Sequence, residues 1–165
     1  MPIRHAQAFD LHQIVAIYNA AIPGRCATAD TEPVTVASRE AWFLDFDPAR
    51  RPLWVHFAEP AGPIDGWLSL RSFYGRPAYA ATVEVGVYVD PATQRRGIAR
   101  TLVAQALATA PALGIRTLLA FVFGHNTPSL ALFDRAGFTR WGVLPRVAEL
   151  EGVERDLAIL GNRIG

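Results

Sequence analysis

A chain of 165 residues, 51% hydrophobic and 19% charged, is long enough for one substantial core and too apolar for disorder, so a single domain over residues 1–165 is expected. Its formal charge of +1 offers no excess for a nucleic-acid backbone or an anionic membrane, and neither is expected as a partner. All 16 basic residues are arginine, which removes Schiff-base lysine chemistry and the Walker-A phosphate loop. The lone Cys26 cannot close an internal disulfide, no apolar run follows Met1 to His5 as in a signal peptide, and none is long enough to span a membrane. A cytoplasmic protein is therefore expected.

Ile3 to His5 reads as a short strand. Asp10 is placed to cap a helix carrying Ile14, Ile17 and Tyr18, closed by Pro23-Gly24. The polar stretch from Gly24 to Pro33 reads as a lid or pocket-lining loop. Thr35 or Ser38 caps a second helix with Trp42, Phe43 and Phe46, ending near Asp47-Pro48. Strands are expected over Leu53 to Ala58, Ile64 to Ser72 and Ala80 to Val89, joined by Gly/Pro-rich turns as an antiparallel meander.

The second half alternates helix and strand. A helix after Gly97 presents Leu102, Val103, Ala106 and Leu107 on one face and stops or kinks at Pro111. Thr117 to Phe123 is continuously apolar, as a strand buried on both faces requires. Asn126-Thr127 opens a helix with Ala131, Leu132 and Phe133 inward, stopped at Gly137. Phe138 to Val143 and Arg155 to Leu160 read as closing strands around a Glu151-Gly152 turn. This order implies an α/β (α+β) fold, with a mixed, mostly antiparallel sheet of about six to seven strands and helices on both faces.

No G-x-G-x-x-G or G-x-S-x-G occurs, and His5, His12, His56 and His125 are scattered beside one thiol, so dinucleotide, serine-nucleophile and metal sites are not expected. What stands out is V-E-V-G-V-Y-V-D-P-A-T-Q-R-R-G-I-A, from Val83 to Ala99: a strand carrying Glu84, an Asp90-Pro91 turn, then an arginine-rich loop with Gly97 at its centre opening a helix. Backbone N–H groups at a helix start, with Arg95, Arg96 and Arg100 alongside, suit a pyrophosphate. Taken alone, a Q-x-x-G-x-A loop reads as an ordinary solvated turn before a helix, because short glycine motifs are common by chance. Glu84 is equally the carboxylate of a structural ion pair, and Arg71 equally a surface arginine.

The stretch V-Y-V-D-P-A-T-Q-R-R-G-I-A-R-T-L-V resembles the acetyl-CoA signature of the GCN5-related N-acetyltransferase (GNAT) superfamily, and H-N-T-P-S-L-A-L-F-D-R-A-G-F resembles the superfamily's N-x-x-S…G-F helix. I-Y-N-A-A-I, A-T-A-D-T-E-P-V-T, R-S-F and T-V-E-V-G-V-Y-V together resemble its phosphinothricin/methionine sulfoximine acetyltransferase branch, over roughly Ile3 to Asp156. The resemblance implies a GNAT fold and transfer of acetyl from acetyl-CoA, without a metal, to the α-amine of a small amino acid or analogue in a ternary complex.

By the same resemblance, the backbone of Val87, Tyr88 and Val89 holds the acetyl and pantetheine portion of acetyl-CoA. The run Arg95, Arg96, Gly97, Ile98, Ala99 and Arg100 holds its pyrophosphate, and Asn126 bonds the pantetheine arm or a nearby water. Arg71, Ser72, Phe73, Glu84, Val85 and Gly86 line the amino-acid pocket. Glu84 is suited to take the ammonium proton directly or through water, and Arg71 to clamp a carboxylate bidentately. Phe133 stands where many members carry a tyrosine acid, and V-A-E-L-E-G-V-E-R-D replaces a basic-aromatic hairpin. A homodimer is implied, with Phe121, Phe123 and Trp141 as apolar positions that serve either the interface or the core. Other amines, or an acetyl-CoA sensor without turnover, are the alternative readings.

Overall fold

The alternating and continuous apolar runs settle into seven strands of one sheet, in a computed structural model that describes residues 2–165. The strands are β1 (Ile3–His5), β2 (Leu53–Phe57), β3 (Ile64–Ser72), β4 (Thr82–Val89), β5 (Thr117–Phe123), β6 (Thr139–Leu150) and β7 (Val153–Arg163), in the spatial order β1-β2-β3-β4-β5-β7-β6. Helices α1 (Leu11–Ala21), α2 (Val36–Leu44), α3 (Ile98–Thr109) and α4 (Thr127–Arg135) complete the fold. Every neighbouring pair is antiparallel except β4 and β5. This is the mixed, mostly antiparallel sheet that the order of elements implied.

The two-residue period of β3 and β4 divides the core. Leu68, Leu70, Val83 and Val85 point to the face covered by α3, where they meet Ile98, Leu102, Val103 and Ala106, and Phe133 of α4 joins the same cluster. On the opposite face Trp67 and Val55 pack with Ile14 and Ile17 of α1, and Trp42, Phe43 and Phe46 close in from the α2 segment. Val85 was expected in the amino-acid pocket. Its side chain instead lies in the α3 core, 6% exposed, because a strand residue adjacent to a cavity-facing one points the other way.

Three further expectations change. Asp10 does not cap α1 with its side chain. Buried at 1% exposure, it accepts from the Gln7 N–H at 2.7 Å and from both terminal nitrogens of Arg4 at 2.7 and 2.9 Å, so it ties β1 to the helix start. Phe46 falls beyond the end of α2. The closing strands run longer than Phe138 to Val143 and Arg155 to Leu160, because β6 is an edge strand mostly exposed along its length and interrupted by register shifts, so no apolar period marks it. The Glu151-Gly152 turn is as expected, with both residues at positive φ. Phe123 is buried and Phe121 half-buried, while Trp141 is 50% exposed.

One topological feature positions everything that follows. β4 and β5 pair over only Thr82↔Thr117, Val83↔Leu118 and Glu84↔Leu119. From Val85 to Val89, β4 continues beside β3 alone, so its other edge opens into a wedge.

Candidate active site

The wedge, the α3 start and a cavity on the α1 face meet along β4. Register pairs Arg71↔Glu84, Ser69↔Gly86 and Trp67↔Tyr88 place six side-chain positions on one face, with opposed residues close enough to act on one small molecule. They form the floor of a cavity of about 130 Å³, walled by Ile14, Val15 and Tyr18 of α1, by Val34, and by Arg39 and Trp42 of α2. A Cβ at Gly86 would come within 3.0 Å of Ser69 Oγ, so glycine there keeps the floor open.

Of the residues expected to line this pocket, Arg71, Glu84 and Gly86 do so. Ser72 instead accepts a hydrogen bond from Arg51 Nε at 2.9 Å. Phe73 packs among Tyr74, Tyr79 and Phe121, outside the cavity wall. Glu84 forms no ion pair among the described residues, and neither does Arg71. The structural-ion-pair reading of Glu84 therefore has no partner among the described residues.

An aromatic cluster holds the cavity's shape. Trp67 stacks on Tyr88 with ring centroids 4.7 Å apart, Tyr18 meets Tyr88 edge-on at 5.0 Å, and Trp42 meets Trp67 at 5.6 Å. Tyr18 Oη contacts Thr28 Oγ1 at 2.5 Å and donates to Asp30, which also takes an Arg39 terminal nitrogen at 3.1 Å. Burial, the Asp30 hydrogen bond and its charge hold the Tyr18 phenol above its ordinary value. Burial, then the neighbouring Tyr18, Asp30 and Glu84, push Tyr88 up further. Both phenols therefore stay protonated at neutral pH.

The Gly24–Pro33 segment, expected as a lid or pocket-lining loop, contributes no residue to the cavity lining and is instead tied to its surroundings by hydrogen bonds. Tyr88 Oη donates to the Ala27 carbonyl at 3.3 Å, Asn126 Nδ2 to that of Cys26 at 3.2 Å, and Arg25 donates to Glu151 at 3.1 Å. Asn126 also accepts from the Ser129 N–H at 3.2 Å and so caps α4. Burial pushes the Cys26 thiol up, which keeps it a poor nucleophile.

At the far end of β4, Asp90 Oδ1 accepts from the Ala92 N–H at 2.9 Å, which shapes the turn. The chain then passes Arg95 at φ 65° and Gly97 at φ 80°, the left-handed region where glycine is at home. The first intrahelical bond of α3 runs from the Thr101 N–H to the Gly97 carbonyl at 2.9 Å, so the N–H groups of Ile98, Ala99 and Arg100 precede it and are free to bind. Arg95, Arg96, Gly97 and Arg100 are exposed around them, while the Ile98 side chain is core. A cradle of free N–H groups with arginines at its rim suits the phosphates of an extended anionic ligand.

Of the side-chain walls, Tyr18 and Trp42 are legible in the sequence only as helix positions, and Trp67 only as part of the strand Ile64 to Ser72. Arg39 was not singled out, and for Tyr88 only the backbone was. The one signal available was the period of β3, which puts Trp67 on the face of Arg71. Nothing local tells which tryptophan meets Tyr88.

The acetyltransferase (GNAT) family matches residues 12–138. A Bacillus subtilis (strain 168) protein provisionally named a phosphinothricin acetyltransferase is 48% identical over 164 residues, 99% of each chain. The L-methionine sulfoximine/L-methionine sulfone acetyltransferase of Pseudomonas aeruginosa is 31% identical, over 96% of this chain and 91% of its own. A solved structure of a GNAT superfamily phosphinothricin acetyltransferase from Sinorhizobium meliloti, in complex with acetyl-CoA, superposes with a TM-score of 0.92 at 27% identity, covering 100% of this chain and 90% of that one. With the wedge between β4 and β5, the helix-start cradle and these likenesses together, the chain belongs to the acetyltransferase (GNAT) family and is an N-acetyltransferase.

Proposed function

We propose that this chain transfers acetyl from acetyl-CoA to the α-amine of a small amino acid or analogue, by direct attack while both substrates are bound. Phosphinothricin and methionine sulfoximine or sulfone, named in its relatives, are the first substrates to try. The observation that carries the reading is the position of Glu84. It faces the cavity without an ion-pair partner, at the last register pair before β4 leaves β5.

Each part of the chain has a role in this reading. The N–H groups of Ile98, Ala99 and Arg100, with Arg95, Arg96 and Arg100 side chains, hold the pyrophosphate. The open edge of β4 at Val87, Tyr88 and Val89 holds the pantetheine and acetyl end, with Asn126 beside it. When bound, acetyl-CoA supplies an activated thioester. Arg71 clamps the amino acid's carboxylate, and Glu84 takes a proton from its ammonium group, directly or through water, because only the free amine is nucleophilic.

The nitrogen then bonds to the acetyl carbon as the carbon–sulfur bond breaks, and it gives up its second proton to solvent to leave the neutral amide. Backbone N–H groups on the open edge stabilise the charge that grows on the carbonyl oxygen. Phe133 is 3% exposed and packed on Phe138, and Tyr88 holds its proton tightly, so the departing thiolate takes its proton from solvent. Cys26, kept as a thiol by burial, argues against an acetyl-cysteine relay.

A homodimer belongs to the same reading. Trp141, Val143, Leu144, Val147 and Val153, 41–55% exposed on the β6–β7 hairpin, leave apolar surface there, and light scattering of the purified protein reads the state. A cytoplasmic location is supported by the single cysteine, which needs no oxidising compartment.

The test is thiol release from acetyl-CoA over a panel of amines. An α-amino acid should turn over, and Glu84→Gln should lower kcat/KM by roughly 10²–10⁴-fold with acetyl-CoA binding retained by calorimetry. Parental turnover in Glu84→Gln would remove the base assignment; no turnover with any α-amino acid would remove the substrate class.

A further inference from the structure

Each charge around the cavity is matched once the amino acid's own two charges are placed. Resting on the proposed function, Arg71 meets the α-carboxylate and Glu84 the α-ammonium. The remaining cation, Arg39, is already matched: its terminal nitrogen lies 3.1 Å from Asp30 Oδ2. The guanidinium centre lies 5.1 Å from the Tyr18 ring centroid and 6.0 Å from that of Trp42. Arg39 lines the cavity and Asp30 does not, so the substrate meets the donors while the counter-charge sits behind them. Of the five guanidinium N–H groups, one terminal nitrogen serves Asp30, and Arg39 makes no other hydrogen bond among the described residues. The apolar walls of the cavity include Ile14, Val15, Val34 and Trp42.

We propose that the Arg39–Asp30 pair makes this enzyme selective for α-amino acids with an uncharged side chain that has an apolar stem and ends in a hydrogen-bond acceptor, and that it discriminates against an anionic side chain. Arg39 offers N–H donors that a sulfone or sulfoximine oxygen can use. Asp30, a positioning residue that acts through Arg39, cancels the charge that would reward a phosphinate. Tyr18 holds the pair in place by donating to the same carboxylate. An uncompensated anion in this part-desolvated site would lose about a factor of ten or more relative to a neutral group of the same size. The side chains of Arg39 and Asp30 are 27% and 45% exposed, so salt should shrink that factor.

The test measures kcat/KM by thiol release for L-methionine sulfone and L-phosphinothricin, a neutral and an anionic probe, at one pH and ionic strength. The parent should favour the sulfone by about tenfold or more. Asp30→Asn, which keeps the acceptor for Tyr18 and frees the Arg39 charge, should move the ratio about tenfold toward phosphinothricin, and by less in high salt. Asp30→Glu should keep the parental ratio, and Arg39→Gln should move it opposite to Asp30→Asn. If Asp30→Asn does not fold, the parental ratio and Arg39→Gln decide. A parent that prefers phosphinothricin or treats the two alike, or ratios that neither variant moves, overturns the selectivity while leaving the proposed function standing. Turnover of neither probe nor any other α-amino acid overturns both.

Discussion

Gly66 is where the sheet touches the α3 start proposed to hold acetyl-CoA, and its replacement by alanine tests whether that contact sets acetyl-CoA affinity. A Cβ at Gly66 would lie 2.8 Å from Ile98 Cγ2, 3.2 Å from the Tyr88 carbonyl oxygen and 3.4 Å from Leu102 Cδ1. Carbon atoms in good contact sit about 3.5–4.0 Å apart, so the Ile98 contact alone demands a shift of roughly 0.7 Å or more. Ile98 cannot simply swing away. It is 5% exposed, opens α3 and is held in the core with Leu102 and Val103. Relief therefore requires the α3 start to move off β3, carrying the N–H groups of Ile98, Ala99 and Arg100 with it. Overpacking of this kind costs about 1–3 kcal/mol, and alanine in a strand returns about 0.5–1 kcal/mol. Gly66→Ala should then lose up to about 2.5 kcal/mol in urea unfolding. In thiol-release kinetics the KM for acetyl-CoA should rise several-fold, more than the KM for the amine, because the phosphate cradle moves while Arg71 and Glu84 stay in register. Unchanged stability with an unchanged acetyl-CoA KM would refute the reasoning; a larger effect on the amine KM would show that the contact serves the cavity instead.

Two other predictions concern stability. Arg4→Gln should cost about 2–3 kcal/mol in urea unfolding, at or below the low end for breaking a buried pair, because Asp10 loses its ion-pair partner at 1% exposure while Arg4 itself is 35% exposed. Adding Asp10→Asn should recover part of the loss, and fully additive losses would mean that the pair is not coupled. Tyr88, whose proton is held tighter in the folded than in the unfolded chain, first by burial, contributes stability that is complete below about pH 10. That contribution falls as pH rises beyond the unfolded value, by at most about 1.4 kcal/mol per pH unit. Tyr88→Phe should flatten the decline measured by denaturant unfolding above about pH 10, with a remainder from Tyr18, also raised. An identical slope in parent and variant would contradict the assigned cause.

The sequence by itself determined the elements whose physics is local. Thr117–Phe123 is apolar throughout and became the strand buried between two neighbours. Gly97 and the residues after it became a helix start with free N–H groups. Thr35 and Asn126 each cap their helix through a side-chain oxygen. Glu84 stands out as the one carboxylate of its strand and Arg71 through the R-S-F resemblance, and the period of two then fixes which neighbours share their face. Val85 went astray when a run of adjacent residues was assigned to one pocket, against that period.

What only the tertiary structure decided is everything that depends on two distant segments meeting. That β4 parts from β5 after Glu84 is a property of strand pairing, and no residue of either strand announces it. The pairing of Arg39 with Asp30, the seat of Tyr18 between Thr28 and Asp30, and the stack of Trp67 on Tyr88 likewise arise from α1, α2 and the intervening loop folding over the sheet. A charge read from a sequence has no partner until the fold supplies one. At Val83–Ala99 the chain therefore carried the strand, turn and helix start proposed to hold acetyl-CoA within one stretch, whereas the selectivity proposed for the cavity rests on contacts between segments far apart in the chain.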